Sequence, residues 1–165
     1  MQQRKSGTQG LTVSALGLGC MAMSAFYGPR DESESVAASD VYGPHTNKVL
    51  AGRTVKPHRD DWRYTSPRFQ GDNFQKNLDL VTKIEEFAEK RKVKASQLAL
   101  AWVLAQGEDV VPIPGTKRIE FLEENVGALA VRLSADDLAR LDDVLPPGAA
   151  KGSRYPEAQM KSVHL

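Results

Sequence analysis

The residues best suited to hold a charged ligand form the string Gly115-Thr116-Lys117-Arg118, which stands between a predicted strand at 109–113 and a predicted helix. The first N–H groups of a helix have no acceptor within the helix, and they carry the positive end of its dipole. Lys117 and Arg118 add two cations at the same point. This combination is typical of a turn that binds phosphate, and it is equally compatible with an ordinary solvated start of a helix.

Other reactive side chains form no pattern of a nucleophile or a metal site. The single cysteine, Cys20, has no base near it in the sequence that would activate its thiol. The three histidines lack the spacing of metal ligands, so we expect them in exposed loops; they are His45, His58 and His164. The sequence therefore predicts no metal.

Short apolar runs predict the strands that would position the basic turn. Segments 2–5 and 11–14 flank a turn-rich string, which indicates a small hairpin. Buried strands are predicted at 16–20, 38–41 and 109–113. The last of these contains a proline, so we expect it where no ladder donor is needed.

Helical periodicity dominates the second half of the chain. Apolar residues at i, i+4 and i+7 predict an amphipathic helix over 74–91. A second helix over 95–106 is apolar nearly all round, which favours deep burial. A third helix ends near Gly127, and Ser134 with Asp137 three residues on forms a capping box that begins a fourth.

Composition excludes several classes of protein. The chain has 165 residues, of which 41% are apolar and 26% charged, as in ordinary globular domains. Its net charge of +1 is too small to attract nucleic acid or an anionic membrane. No run reaches the roughly eighteen apolar residues of a membrane span, and no signal peptide is visible. A lone cysteine forms no internal disulfide, so we expect a cytoplasmic protein.

Four strings of this sequence resemble pieces of the aldo-keto reductases and occur in that family's order. They are LTVSALGLGCMAMS, SDVYGPHTNKVL, LALAWVLAQGEDVVPIPGTKRIEFLEENVGAL and RYPEAQM, and the match covers roughly 1–53 and 61–165. The resemblance implies an α/β fold, the (β/α)8 TIM barrel, with NADPH bound at the C-terminal ends of the strands. It also implies reduction of small aldehydes and ketones to alcohols.

The chain is short for such a barrel, which runs to about 250 residues. Only three barrel-strand signals are found, so we expect one incomplete domain over 1–165. Within it, 1–53 would be the N-terminal barrel segment, 54–71 an irregular loop and junction, and 72–165 the C-terminal helices and eighth strand. Two internal blocks of the family pattern have no counterpart.

The resemblance assigns cofactor contacts to the basic turn and the helix after it. Lys117 would meet the 2′-phosphate of NADPH, while Glu124 and Asn125 would hold the adenine amino group. Many relatives have an arginine four residues after that lysine, but this chain has Phe121 there. Either Arg118 would then supply the second cation, or no residue would.

The resemblance also assigns residues around the nicotinamide. Gly19, Cys20 and Met21 would lie beside the ring, although such a string is as often plain core packing. Tyr42 matches the general acid that protonates the carbonyl oxygen while hydride arrives. A phenol has a pKa of about 10 and is a poor acid at neutral pH unless an ammonium lies beside it.

The groups that would tune Tyr42 are not found. The family's carboxylate stands five residues before the tyrosine, where this chain has Ala37. The family's lysine and histidine motifs have no counterpart either. We therefore expect impaired catalysis, and Tyr42 as a simple residue at a strand end is an equally good interpretation.

Two other interpretations stay open at this point. The chain could be a non-catalytic NADP-binding or interaction fragment that pairs with a full-length relative, or a product without a stable fold. An incomplete barrel would leave the apolar helix over 95–106 bare, so self-association is expected as well.

Overall fold

A short antiparallel hairpin begins the structure, a computed structural model that describes residues 2–6, 8–19, 62–116 and 118–161. Strand β1 is Gln3–Ser6 and strand β2 is Leu11–Ser14, with Gln3 opposite Ser14. Gly10 in the turn has φ of 79°, a left-handed conformation that glycine adopts at little cost. The predicted hairpin is confirmed.

The described residues contain five α-helices. They are α1 (Gly71–Lys90), α2 (Ala95–Leu104), α3 (Ile119–Gly127), α4 (Ala135–Val144) and α5 (Glu157–Met160). The first four confirm the predicted helices, although α2 ends two residues before the predicted end at 106. The segment from residue 148 onward is predicted as a loop, so α5 is a correction. A single turn of four residues has no periodicity to detect.

The segment over 54–71, expected to be irregular, contains short 3₁₀-helices where the structure describes it. They are Trp62–Thr65 and Pro67–Phe69, and a third 3₁₀-helix, Ala128–Ala130, follows α3. Pro67 stands at the first position of its helix, where the missing N–H of proline costs nothing.

The main core lies between α1, α2 and α4. Its buried side chains are at most 4% exposed; they are Ile84 and Ala88 of α1, Leu98 and Ala99 of α2, and Leu141 of α4. A second cluster joins Leu16, Leu100 and Ala128 on another side of α2. Helix α2 is therefore covered from two sides, which explains its apolar sequence.

This burial corrects the expectation of a bare apolar helix over 95–106. Leu98, Leu100 and Leu104 are between 1% and 8% exposed, although α1, α3 and α4 are the only long helices near them in the described part of the chain. Helices α1 and α4, the 3₁₀-helix Ala128–Ala130 and Leu16 contribute the described side chains that pack against α2.

Residues 15–19 and 112–114 run side by side in the same direction. The N–H of Gly17 donates to the carbonyl oxygen of Pro112 at 2.9 Å, and the N–H of Gly19 donates to that of Pro114 at 3.3 Å. No regular strand forms here, so the strands predicted at 16–20 and 109–113 are corrected. The reason is that Pro112 and Pro114 have no N–H to return the hydrogen bonds of a ladder.

Candidate cofactor site

Two segments predicted to contact the cofactor lie next to each other. The hydrogen bond from Gly19 to Pro114 places Gly19 beside the residue that precedes Gly115. The end of the first apolar segment and the start of the basic turn thus share one edge of the molecule. Residues far apart in sequence are brought together by backbone contacts alone.

Thr116 organises the turn. The N–H of Arg118 donates to the Thr116 hydroxyl oxygen at 3.1 Å. The same hydroxyl donates a longer hydrogen bond, 3.4 Å, to the carbonyl oxygen of Arg118. The first bond of the helical ladder runs from Leu122 to the carbonyl oxygen of Arg118 at 3.0 Å. The N–H groups of the first three helical residues, 119–121, therefore have no acceptor within α3.

The guanidinium of Arg118 is held over an aromatic ring. Its central carbon lies 5.5 Å from the centroid of Phe121, within the range of a cation–π contact. Both side chains are exposed, so the guanidinium is held by the ring with its edge open to solvent. Phe121 therefore supports Arg118 at the place where many relatives have a second cation.

Glu124 anchors α3 to α2. Its Oε1 accepts a hydrogen bond from the hydroxyl of Ser96, and its backbone oxygen accepts one from Nε2 of Gln97 at 3.0 Å. Oε1 of Gln97 also accepts from the N–H of Lys94 at 3.0 Å, so one side-chain amide caps α2 and binds α3. A Cβ at Gly127 would lie 2.4 Å from that Nε2, so an alanine there would displace the Gln97 amide from its present position.

Sequence reasoning missed Ser96 and Gln97. The signal that could have revealed them is two polar residues in the first turn of an otherwise apolar helix. Asn125 is half-buried, and its side-chain amide forms no hydrogen bond with another residue that the structure describes. Of the two residues predicted to hold the adenine, Glu124 is partly engaged and Asn125 is available.

Four of the predicted site residues lie outside the described residues: Cys20, Met21, Tyr42 and Lys117. The strand predicted at 38–41 lies outside them as well. No group of three or more metal-ligating side chains occurs among the residues that the structure describes. Within the same residues, no helix is long and apolar enough to cross a membrane.

A protein-family comparison decides the assignment. The model described as "Aldo/keto reductase family" matches residues 12–146, most of the chain. This chain belongs to the aldo-keto reductase family. The matched residues include most of strand β2, the adjacent segments 15–19 and 112–114, and the basic turn before α3.

Curated relatives agree with this family. The chain is 45% identical over 118 residues to the aldo-keto reductase yakc [NADP(+)] of Schizosaccharomyces pombe, which covers 70% of this chain and 35% of that protein. It is 53% identical over 89 residues to a probable aldo-keto reductase of Glycine max, which covers 54% and 26%. The chain thus spans about a third of the length of the curated relatives it matches.

A solved structure resembles the backbone too. The glycerol dehydrogenase of Gluconobacter oxydans superposes with a TM-score of 0.55 at 26% identity, covering 64% of this chain and 33% of the dehydrogenase. The family and this likeness together imply an α/β fold of the barrel type.

Proposed function

We propose that this aldo-keto reductase binds NADPH through the basic turn before α3, and that its reduction of small carbonyl compounds is impaired. The observation that carries the proposal is the hydrogen bond from Gly19 to Pro114, because it joins the segment expected at the nicotinamide to the segment expected at the phosphate. The fission yeast relative, whose name carries NADP(+), supports the choice of cofactor.

The residues of the turn fit an adenosine phosphate. The N–H groups of residues 119–121 and the guanidinium of Arg118 are donors for phosphate oxygens. The free amide of Asn125 and the second carboxylate oxygen of Glu124 would hold the adenine from the same helix. NADPH would supply a hydride, and this chain's residues would bind and orient it.

Impairment follows from the surroundings of Tyr42 in the sequence. Ala37 replaces the carboxylate of the family pattern, and the lysine that it would hold has no counterpart. A phenol without a neighbouring ammonium is a poor acid at neutral pH, so we expect Tyr42 to give up its proton poorly. We propose that cofactor binding and carbonyl reduction are separated in this chain.

Titration of NADPH and NADH into the purified chain tests the cofactor site. We expect NADPH to bind about tenfold to a hundredfold more tightly, because a charge-assisted hydrogen bond to phosphate contributes about 1.5 to 3 kcal/mol. Lys117→Ala should remove that preference. Lys83→Ala, an exposed lysine on α1, is the matched control and should retain it. Equal affinities in the unaltered chain would contradict the proposal.

A further inference from the structure

A cleft of about 630 Å³ opens between α1, α2, α4 and residues 146–150, away from the basic turn. None of the described residues predicted to contact NADPH lines it. Its volume lies within the range of small-molecule sites, about 300 to 1,000 Å³. The walls are mainly apolar, and they include Leu80, Ile84, Trp102, Leu141, Leu145 and Pro146.

Arg68 is the one cation among the described residues that line this cleft. It is half-buried, and its Nε donates a long hydrogen bond, 3.4 Å, to the carbonyl oxygen of Gly152. No carboxylate of the described residues forms an ion pair with it. The terminal nitrogens of the guanidinium therefore have no protein acceptor in the described part of the chain.

A second cation lies near Arg68. Burial lowers the pKa of Arg68 below its usual range, and the charge of Arg154 lowers it further. Arg154 is half-buried itself and lies 5.5 Å from the centroid of the Tyr155 ring. Two neighbouring cations repel each other when no described acid pairs with them. An anion bound beside Arg68 would reduce this repulsion.

Asp142, the only acid in the described part of the cleft wall, already has a hydrogen-bond partner. Oδ1 of Asp142 accepts a hydrogen bond from Nε1 of Trp102 at 3.2 Å, which holds the indole in the wall. The cleft therefore offers an apolar surface with an indole, an unpaired cation and an acid that is paired with that indole. Its charge and shape match a ligand that is apolar along its length and anionic at one end.

We propose that this cleft binds a small amphipathic monocarboxylate, whose carboxylate pairs with Arg68 and whose apolar chain lies along Leu80, Trp102 and Leu145. A planar guanidinium matches a carboxylate with two parallel hydrogen bonds, which gives the ligand its orientation. The proposal does not rest on the cofactor site, since the two share no residue that the structure describes.

Octanoate is the probe, with 1-octanol as its uncharged analogue and inorganic phosphate as the anion without a chain. Calorimetry on the full chain reports binding, and the combined fluorescence of Trp62 and Trp102 follows it in parallel. We expect octanoate to bind at least about tenfold more tightly than octanol, and phosphate to bind far more weakly than octanoate. Equal binding of octanoate and octanol would overturn the role of Arg68, and equal binding of phosphate would overturn the role of the apolar wall.

Variants test the same point within the protein. Arg68→Gln should abolish the preference for octanoate over octanol, whereas Arg68→Lys should retain part of it. Arg132→Gln changes an exposed cation outside the cleft and should leave both affinities unchanged. A melting curve identifies folded variants. Octanoate binding that is unaffected in folded Arg68→Gln, or no octanoate binding to the unaltered chain, contradicts the proposal.

Discussion

The side chain of Asn77 and the backbone of Lys151 form two complementary hydrogen bonds. Nδ2 of Asn77 donates to the carbonyl oxygen of Lys151 at 2.9 Å, and the N–H of Lys151 donates to Oδ1 at 2.8 Å. The same Nδ2 donates to the carbonyl oxygen of Arg68 at 2.9 Å. This amide, 6% exposed, joins α1, the 3₁₀-helix Pro67–Phe69 and the segment after α4.

Asn77→Ala should lower the free energy of unfolding by about 2 to 4 kcal/mol, because it leaves buried backbone groups without partners. Asn73→Ala is the control, since Asn73 makes a single side-chain hydrogen bond, 3.2 Å long, to Pro67. Its cost should be about 1 kcal/mol. Urea unfolding measures the cost of both substitutions. Equal costs would mean that the hydrogen bonds between Asn77 and Lys151 do not stabilise the protein.

Gly152→Ala should be more destabilising than Gly148→Ala. Both glycines have positive φ, 87° and 81°, so an alanine costs about 1 to 2 kcal/mol at either position. At Gly148 a Cβ would meet nothing within 4 Å, whereas at Gly152 it would lie 2.9 Å from backbone atoms of Pro67. Thermal unfolding of the two variants isolates that contact. Equal losses of stability in the two variants would show that the segment around Gly152 can move away from Pro67.

Ser66→Ala should stabilise the protein by about 1 kcal/mol. Ser66 is 1% exposed, and its hydroxyl has no hydrogen-bond partner among the described residues, so its removal abolishes a desolvation cost without leaving a cavity larger than one atom. Ser134→Ala is the control with the opposite sign. It removes the hydroxyl that accepts from the N–H of Asp137 at 3.2 Å, and loss of such a cap costs about 1 kcal/mol. A fall in stability at position 66 would reveal an acceptor near that hydroxyl.

Local patterns predicted the elements of this structure well. The capping box is present as expected: Asp137 accepts from the N–H of Ser134 at 2.8 Å, and Arg91 adds an ion pair to the same carboxylate. The hairpin and the periodic helices depend on neighbours within a few residues. Such signals can be read from the sequence because the residues that cause them lie close together along the chain.

Long-range contacts could not be predicted in the same way. Nothing local marks Asn77 as the partner of Lys151, 74 residues away, or Arg4 as a donor to the carbonyl oxygens of Gly107 and Val110. The strands predicted at 16–20 and 109–113 were wrong for a different reason. Apolar runs predict burial, whereas prolines decide whether the backbone hydrogen bonds of a ladder can form. At the cofactor turn, the sequence predicted the residues but not the anchoring of Glu124.

A carbonyl substrate should not be reduced at an appreciable rate by this chain. General acid catalysis contributes about 10² to 10⁴ in rate, and Tyr42 has none of the groups that tune it in the family pattern. NADPH consumption with 4-nitrobenzaldehyde, followed at 340 nm, is the assay. Tyr42→Phe is the control and should match the unaltered chain. Steady turnover that this variant abolishes would contradict the prediction.

The last prediction concerns the edge of the segment over 109–116. The carbonyl oxygens of Pro112 and Pro114 are used by Gly17 and Gly19, and no described residue accepts from the N–H groups of Val111 and Ile113. Because backbone groups alternate in direction along an extended segment, these donors lie on the opposite edge, which no described strand covers.

This edge should pair with that of a second copy. Ile113 is 50% exposed there, so an apolar side chain accompanies the open backbone groups. Size-exclusion chromatography with light scattering should find self-association that increases with concentration. Ile113→Lys should shift the equilibrium toward the monomer, since lysine on an edge strand opposes pairing. Leu11→Lys, on the 62% exposed Leu11 of the hairpin, should not. A monomer at all concentrations, or an equal effect of both variants, would mean that this edge is not where copies meet.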